Sequence, residues 1–174
     1  MSAINYDLSK IRGMAFDIDG VLSPSTIPMD INGNPQRMVN IKDGYALQLA
    51  VKRGLKIAII SGADSPALRV RYAGLGITDI YLKASVKLPV LTDWMAKEGL
   101  TPDEVAYTGD DIPDIEAMRH AGLAIAPADA APEVKETAGY ISPVAGGYGV
   151  ARDLIEQVLR DRGEWMSDAK AFGW

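Results

Sequence analysis

The sequence predicts an α/β protein in which a parallel β-sheet carries helices on both faces. Short apolar runs alternate with amphipathic segments along nearly the whole chain, and this βαβα rhythm is typical of a doubly wound sheet. The clearest run, residues 55–60, is mostly apolar and rich in β-branched residues, as expected of a buried parallel strand. The chain has 174 residues and no linker or internal repeat, so we expect a single domain, 1–174, without a separate cap domain.

Strands and helices are predicted to alternate along the chain, except that no helix is predicted between the last two strands. The first strand ends at Asp17, and further strands are predicted at 55–60, 77–82, within 104–111, at 123–126 and, more weakly, near Ile141. Helices are predicted from near Asp43 to before Gly54, and at 65–73, 88–97, 113–120 and 150–162. Proline in the first turn supports the helix at 65–73, and apolar residues at helical spacing support the one at 150–162.

One segment interrupts the alternation. Residues 22–41 contain Asn32 and Gly33 between flanks that could form strands. Asn-Gly is the typical centre of a type I′ turn, because both central residues of that turn need positive φ. We therefore predict a small β-hairpin over about 22–41 that projects beyond the first strand; an irregular loop is the alternative.

The composition excludes several classes of function. The net charge is -5 and no dense run of Lys or Arg occurs, so nucleic acid is not expected as a partner. No apolar stretch approaches the length of a membrane span and the N-terminus has no signal-like apolar core, which predicts a cytoplasmic protein with no membrane partner. The chain has no cysteine and a single histidine, His120, which excludes disulfides, Cys/His zinc sites and thiol catalysis. A metal would be bound by carboxylates, which favours Mg²⁺.

Polar residues follow the predicted strands at one edge of the sheet, where ligands bind in such folds. They are Asp17 and Asp19 after the first strand, Ser61 and Gly62 after the second, Lys87 after the third, and Asp110, Asp111 and Asp114 after the fourth. Carboxylates can hold a cation while a hydroxyl and a lysine bind phosphate oxygens. Since crowded carboxylates raise one another's pKa values when no cation is present, the pattern predicts phosphate chemistry around a metal ion.

Four motifs in order, "DIDGVL", "ISG", Lys87 and "GDDIPD", resemble those of the haloacid dehalogenase superfamily of phosphohydrolases. The segments "VNIKDGYAL", "RYAGLGI" and "GGYGVARDLIEQVL" are similar to its cap-less branch, the 3-deoxy-D-manno-octulosonate 8-phosphate phosphatases, and the likeness covers nearly the whole chain. The resemblance implies a Rossmann-like fold and a Mg²⁺-dependent phosphatase that acts on this sugar acid in lipopolysaccharide sugar synthesis.

The same resemblance implies roles for the acidic residues. Asp17 would be the nucleophile that forms an aspartyl-phosphate, and Asp19 would be the general acid for the leaving sugar oxygen and then the base that activates water. Mg²⁺ would be held by Asp17, the main-chain carbonyl of Asp19 and Asp110, with Asp111 or Asp114 in support. An acid two residues from the nucleophile can reach the leaving oxygen on the opposite side of the phosphorus, so this division of roles is physically sensible.

Substrate contacts are implied for residues on the other strands and helices. Ser61, Gly62 and Lys87 would contact the phosphate, and Arg71 would contact the carboxylate of the substrate. Ser61 stands where threonine is more common, which keeps the hydroxyl. Ala63 stands where relatives often carry a longer polar or charged residue that can touch the sugar. The sequence therefore leaves the sugar open, and a nonulosonate 9-phosphate is the alternative substrate.

A function from another class is a phospho-acceptor signalling domain of receiver type, which is also an acidic α/β fold. Receiver domains place the acceptor aspartate after the third strand. Here a D-x-D pair follows the first strand and the second acidic group follows the fourth. This order favours the phosphatase.

The C-terminal tail, 163–174, is rich in aromatic residues: two of the three tryptophans and one of the two phenylalanines lie in its last ten residues. Disordered tails are poor in aromatic residues, so this tail is expected to dock. The chain has no room for a cap domain, and we expect the subunits to cap one another. The hairpin, the tail and Arg71 of one subunit would then face the active site of the neighbouring subunit. The resemblance implies a homotetramer.

Overall fold

A computed structural model describes residues 3–174 and contains a six-stranded, fully parallel sheet with strand order β3-β2-β1-β4-β5-β6. The strands are β1 (Gly13–Phe16), β2 (Lys56–Ile60), β3 (Asp79–Tyr81), β4 (Val105–Thr108), β5 (Leu123–Ala126) and β6 (Tyr140–Ile141). Each strand lies where the apolar runs predict it. The third is shorter than the predicted 77–82, and it lies at an edge of the sheet.

Among residues 3–174 there are six α-helices; the first five each connect two consecutive strands, and the sixth follows β6. They are α1 (Ile41–Lys52), α2 (Pro66–Ala73), α3 (Lys87–Glu98), α4 (Ile115–His120), α5 (Pro132–Thr137) and α6 (Val150–Asp161), with short 3-10 turns at Leu8–Lys10, Pro102–Glu104, Ile112–Asp114 and Ala169–Phe172. Helices α1, α2 and α6 pack on one face of the sheet, and α3, α4 and α5 pack on the other. The prediction of helices on both faces is confirmed.

Side chains alternate between the two faces along every long strand. Met14 and Phe16 of β1 belong to the core beneath α1 and α6, whereas Ala15 belongs to the core beneath α3 and α4. Ile59 and Ile60 of β2 divide in the same way. All of them are buried, which explains why the strands read as continuous apolar runs.

Two helical segments differ from the prediction. Helix α5 was not predicted, because its six residues are too few to establish a period and only Pro132 at its start marks it. The predicted helix at 113–120 divides into a 3-10 turn, Ile112–Asp114, and the short α4. Asp111 caps that turn through its side chain, which accepts a hydrogen bond from the backbone N–H of Ile112 at 2.8 Å.

The segment after β1 turns back on itself as predicted, but it forms a single antiparallel bridge, Met29–Pro35, rather than a ladder. The type I′ prediction is wrong, since only Gly33 has positive φ, at +82°. The N–H of Gly33 donates to the carbonyl of Asp30 at 3.0 Å, and the Asp30 carboxylate accepts from the N–H groups of Asn32 and Asn34. These bonds stabilise a three-residue loop that ends in a left-handed glycine. We refer to residues 22–41 as the hairpin.

The tail docks on the outer surface of α1 and α6 of its own chain. The guanidinium of Arg152 lies over the ring of Trp165, with its Cζ 4.6 Å from the ring centroid. Trp165 also packs edge-to-face against Tyr45. Arg53 forms an ion pair with Asp168 at 2.8 Å. Docking of the tail is therefore observed, whereas capping of a neighbouring site stays a prediction.

Within residues 3–174, no helix combines the length and the apolar character that crossing a membrane would require.

Candidate active site

The candidate site lies where the chain reverses its direction across the sheet. From β1 the chain passes outward to β2 and β3, and it then returns to place β4 on the other side of β1. Such a switch point opens a crevice at the carboxyl ends of the two central strands. Asp17 directly follows β1, and Asp110 follows β4 after one glycine. The N–H of Asp17 donates to the carbonyl of Thr108 at 3.1 Å, which continues the β1–β4 pairing up to the site.

Lys87 joins two carboxylates at the centre of the crevice. It is the first residue of α3, and its Nζ lies 2.7 Å from Oδ2 of Asp17 and 2.7 Å from Oδ1 of Asp114. Its side chain is only 6% exposed. Burial alone would lower the pKa of Lys87, but the two carboxylates outweigh burial and raise that pKa above its ordinary value. The lysine is therefore a fixed positive charge at the bottom of the site.

Asp114 is fully buried and accepts hydrogen bonds on both oxygens. Besides Lys87, the hydroxyl of Tyr107 donates to its Oδ1 at 2.8 Å. The N–H groups of Asp110 and Asp111 donate to its Oδ2 at 3.1 and 3.3 Å. Four donors hold this carboxylate, so it fixes the loop after β4 from within.

Three carboxylates converge in the crevice. Asp17, Asp110 and Asp114 each offer an oxygen, and these oxygens all lie within 4.8 Å of one another. Burial, followed by the Asp114 charge, raises the pKa of Asp17 from 3.8 to about 6, although Lys87 opposes the shift. Burial and the charges of Asp17 and Asp114 raise the pKa of Asp110 to about 7. Such crowding is relieved by a divalent cation, and an all-oxygen donor set suits Mg²⁺.

Gly20 allows the loop after β4 to approach the loop after β1. Its φ is +82°, and a Cβ at this position would overlap the carboxylate of Asp110. Glycine is therefore required at the end of the "DIDG" motif for two reasons: the backbone has a positive φ, and the Asp110 carboxylate leaves no space for a side chain.

Asp19 lies at the mouth of the crevice and is held differently. Its carboxylate accepts two hydrogen bonds from the guanidinium of Arg37, at 2.7 Å from Nε and 2.8 Å from Nη2. Arg37 comes from the hairpin, 18 residues along the chain. The Asp19 side chain is 40% exposed, against 9% for Asp17.

Ser61 and Gly62 follow β2 as predicted. Ser61 is buried, and its hydroxyl accepts the N–H of Ala63 at 3.2 Å. Gly62 is exposed, and a Cβ there would meet only the carbonyl of Ala84 at 4.0 Å. Both lie at the carboxyl edge of the sheet, but no described hydrogen bond joins Ser61 to the acidic cluster.

Two predicted site residues lie outside the acidic cluster. The Asp111 side chain is exposed and caps the turn that follows it. Arg71 belongs to α2 and points at Gly44 of α1, and its Nε is buried without a hydrogen-bond partner. Among residues 3–174, no ion pair joins Arg71 to the acidic residues of the site.

Sequence reasoning missed Arg37 and Tyr107. Tyr107 reads as one more apolar residue of a buried strand, and its hydroxyl is placed only by the fold. Arg37 lies in the irregular hairpin, where no periodic pattern indicates which residues face the site.

The comparisons with known proteins agree with this geometry. A family model described as haloacid dehalogenase-like hydrolase matches residues 64–154. The 3-deoxy-D-manno-octulosonate 8-phosphate phosphatase KdsC of Escherichia coli K12 is 38% identical over 160 residues, which cover 92% of this chain and 85% of the relative.

Solved structures extend the likeness to three dimensions. The 3-deoxy-D-manno-octulosonate 8-phosphate phosphatase from Yersinia pestis is 33% identical, with a TM-score of 0.86 over 90% of this chain and 85% of that chain. The corresponding enzyme from Moraxella catarrhalis, in complex with magnesium, phosphate and KDO, is 30% identical, with a TM-score of 0.89 over 95% of each chain.

A parallel sheet with a D-x-D pair after its first strand, a buried lysine and a second acidic group after its fourth strand defines a haloacid dehalogenase-like hydrolase. Within that class the chain belongs to the 3-deoxy-D-manno-octulosonate 8-phosphate phosphatase family. The fold and the family stated from the motifs are confirmed.

Proposed function

We propose that this chain hydrolyses 3-deoxy-D-manno-octulosonate 8-phosphate to the free sugar acid and phosphate, in the cytoplasm, as a step of lipopolysaccharide sugar synthesis. The observation that carries the proposal is the buried Asp17 carboxylate, held by Lys87 at the switch point with a second carboxylate, Asp19, two residues away. The activity of the named relatives supports the choice of substrate.

In the first half-reaction a carboxylate oxygen of Asp17 attacks phosphorus. The bond from phosphorus to the sugar oxygen breaks, and a proton passes from Asp19 to that oxygen, so the sugar leaves as an alcohol. The N–H of Ile18 donates to Oδ1 of Asp17 at 2.6 Å and Lys87 holds Oδ2. The nucleophile is therefore oriented before substrate arrives.

In the second half-reaction water attacks the phosphorus of the aspartyl-phosphate. A proton of this water passes to Asp19, the bond from phosphorus to Asp17 breaks, and the products are phosphate, the Asp17 carboxylate and the protonated Asp19 that begins the next cycle. Asp19 thus acts first as an acid and then as a base. Its exposed position at the mouth of the crevice suits exchange with both a sugar and water.

The acidic cluster fits a hard divalent cation. Mg²⁺ would be held by Asp17, Asp110 and the main-chain carbonyl of Asp19, with Asp114 as the buried support, and it would neutralise charge on the phosphate oxygens. The raised pKa values of Asp17 and Asp110 support this assignment, because burial and then repulsion between the carboxylates disfavour their charges, and a bound cation would compensate both effects.

We also propose that the enzyme is a homotetramer whose subunits cap one another's sites. Large apolar side chains project from the hairpin and are exposed, among them Met29 at 71% and Ile31 at 100%. Exposed apolar clusters of this kind favour an interface. Arg71 and the tail would face the neighbouring site. Light scattering that finds a fully active monomer at assay concentration would contradict this part.

The test is steady-state phosphate release across a panel of phosphorylated sugar acids, with and without EDTA. We expect multiple turnovers, the highest kcat/KM with the octulosonate 8-phosphate, loss of activity in EDTA and recovery with Mg²⁺. A higher kcat/KM with a nonulosonate 9-phosphate would assign the alternative sugar, for which Ala63 is the residue in question. A single turnover that leaves the protein phosphorylated would indicate a receiver-type domain, and full activity in EDTA would remove the metal.

A further inference from the structure

Asp19 depends on one partner for its orientation. Asp17 is held by Lys87 and by the N–H of Ile18, and Asp114 is held by four donors. Among residues 3–174, every hydrogen bond to the Asp19 carboxylate comes from the guanidinium of Arg37. A carboxylate that is 40% exposed would otherwise rotate freely toward solvent.

Arg37 is itself well fixed. Its side chain is only 11% exposed, although the hairpin that carries it is mostly exposed. The guanidinium is planar and permanently charged, and it uses two donors, Nε and Nη2, on the two oxygens of Asp19. Such a fork admits one orientation of the carboxylate plane.

The pair remains compatible with proton transfer. Each carboxylate oxygen has two lone pairs, and Arg37 uses one on each oxygen. One further position on each oxygen stays free: it carries the proton that Asp19 donates to the leaving sugar oxygen, and after that transfer it can accept a proton from water. Proton transfer needs a heavy-atom distance of about 3 Å, so the orientation of the acid decides its efficiency.

We propose that Arg37 is the positioning residue of the general acid: its guanidinium fixes the Asp19 carboxylate toward the leaving oxygen of the substrate. This inference rests on the proposed phosphatase function. It also links the hairpin to the chemistry, because displacement of the hairpin moves Arg37 and so releases Asp19.

The test compares three phosphate esters in the full-length Mg²⁺-loaded protein. The octulosonate 8-phosphate has a carboxylate and a strongly basic leaving oxygen, ribose 5-phosphate has such a leaving oxygen without the carboxylate, and p-nitrophenyl phosphate has a leaving group that needs no proton. For Arg37→Gln we expect kcat/KM, which reports the first half-reaction alone, to fall about 100-fold on both sugar phosphates and less than about 3-fold on p-nitrophenyl phosphate, because only the first two leaving groups need the acid.

Two further variants serve as a conservative replacement and as a control. Arg37→Lys retains the charge but cannot donate from two nitrogens at once, and we expect it to restore only part of the lost kcat/KM on the sugar phosphates. Arg12→Gln removes a surface arginine that pairs with Glu104 just before β1, at the opposite edge of the sheet, and it should behave as wild type on all three esters.

A double-mutant cycle separates action through Asp19 from contact with substrate. In an Asp19→Asn background, we expect Arg37→Gln to lower kcat on the octulosonate 8-phosphate by less than about 3-fold, since the group that Arg37 positions is already inactive. A further large loss in that background would overturn the proposal, as Arg37 would then contact substrate directly.

The remaining outcomes are equally decisive. An equal loss of kcat/KM on p-nitrophenyl phosphate would assign Arg37 a purely structural role, and a loss of kcat/KM confined to the octulosonate 8-phosphate would assign it to carboxylate recognition; either result overturns the proposal while wild-type activity stands. No phosphate release by wild type from any ester would instead reject the proposed function itself, and this inference with it.

Discussion

The two aspartates of the D-x-D pair lie two residues apart, yet their surroundings differ sharply. Asp17 is buried and contacts Lys87, the first residue of α3. It follows β1 directly, and Asp114 lies in the segment that follows β4. Asp19 lies at the mouth of the crevice and is held by Arg37 of the hairpin. Asp17, the proposed nucleophile, is thus placed by the sheet, and Asp19, the proposed acid, is placed by the least regular segment of the domain.

This difference suggests a division of labour. Burial and multiple donors hold the groups that bind phosphorus, where small displacements are costly. The acid must meet a sugar on one pass and water on the next, so a half-exposed carboxylate with one strong partner suits it. Changes beside Asp17 should lower both the stability of the fold and the turnover of every ester. Changes beside Asp19 should lower stability less, and in the first half-reaction they should slow mainly those esters whose leaving oxygen needs a proton.

The largest effect is expected from Asp17→Asn. An amide keeps the volume and can still accept the Ile18 N–H, but it cannot attack phosphorus as an anion. We expect turnover to fall at least about 1,000-fold on every ester with the fold retained. Phosphate release measures the turnover, and circular dichroism checks that the fold is retained. The control is Asp93→Asn, an exposed aspartate of α3, and near-normal activity of folded Asp17→Asn would remove the nucleophile assignment.

The next largest effect is expected on the free energy of unfolding, which should differ between variants beside Asp17 and variants beside Asp19. Lys87→Met leaves the buried Asp17 and Asp114 without their shared cation, and we expect the free energy of unfolding to fall by about 3–5 kcal/mol. Arg37→Met breaks a partly exposed pair, and we expect a loss of about 1 kcal/mol or less. Urea denaturation of both variants in EDTA measures the contrast. Equal losses would show that the two pairs are held alike.

Two glycines with the same φ of +82° offer a matched comparison. A Cβ on Gly20 would overlap the Asp110 carboxylate, whereas a Cβ on Gly33 meets nothing within 4 Å. We expect Gly20→Ala to lower kcat about 100-fold by displacing Asp110. Gly33→Ala should cost about 1 kcal/mol of stability and leave kcat unchanged. A loss of kcat in Gly33→Ala equal to that in Gly20→Ala would mean that the hairpin loop shapes the site as strongly as Gly20 does.

The smallest effect concerns pH in the metal-free protein. The pKa values of Asp17 and Asp110 are raised from 3.8 to about 6 and about 7, so the folded state binds more protons than the unfolded chain across this range. The free energy of unfolding should therefore fall as pH rises from about 4 to about 7 in EDTA.

Mg²⁺ should reverse that loss. At a hundredfold excess over Kd we expect a gain of about 2.7 kcal/mol at pH 8 and a smaller gain at pH 5.5, where the ligands hold protons. Thermal melts at both pH values measure this, with Asp110→Asn as the variant that should respond least. A Mg²⁺ effect that does not change with pH would contradict the assignment of these carboxylates as the ligands.

Much of the fold followed from local patterns. The apolar runs predicted the four central strands, β1, β2, β4 and β5, because these are buried on both faces and burial is what hydropathy reports; the edge strand β6, whose Ile141 is exposed, gave the weakest signal. The positions of Asp17, Ser61 and Asp110 at one sheet edge followed from the parallel topology alone. The short α5 and the three-residue loop at Gly33 did not, since neither has enough residues to establish a period.

The sequence by itself determined the class of fold, the family and the set of candidate site residues, because apolar runs and the order of motifs can be identified directly from the sequence. Only the tertiary structure decided which of these groups meet. Asp114, and not its neighbour Asp111, turns inward to Lys87, and Arg37 reaches Asp19 across 18 residues of irregular chain. The tail packs on Tyr45 and Arg152 of its own chain. Pairings of this kind depend on the parallel pairing of β1 with β4 and on the path of a loop, and neither leaves a periodic signal in the sequence.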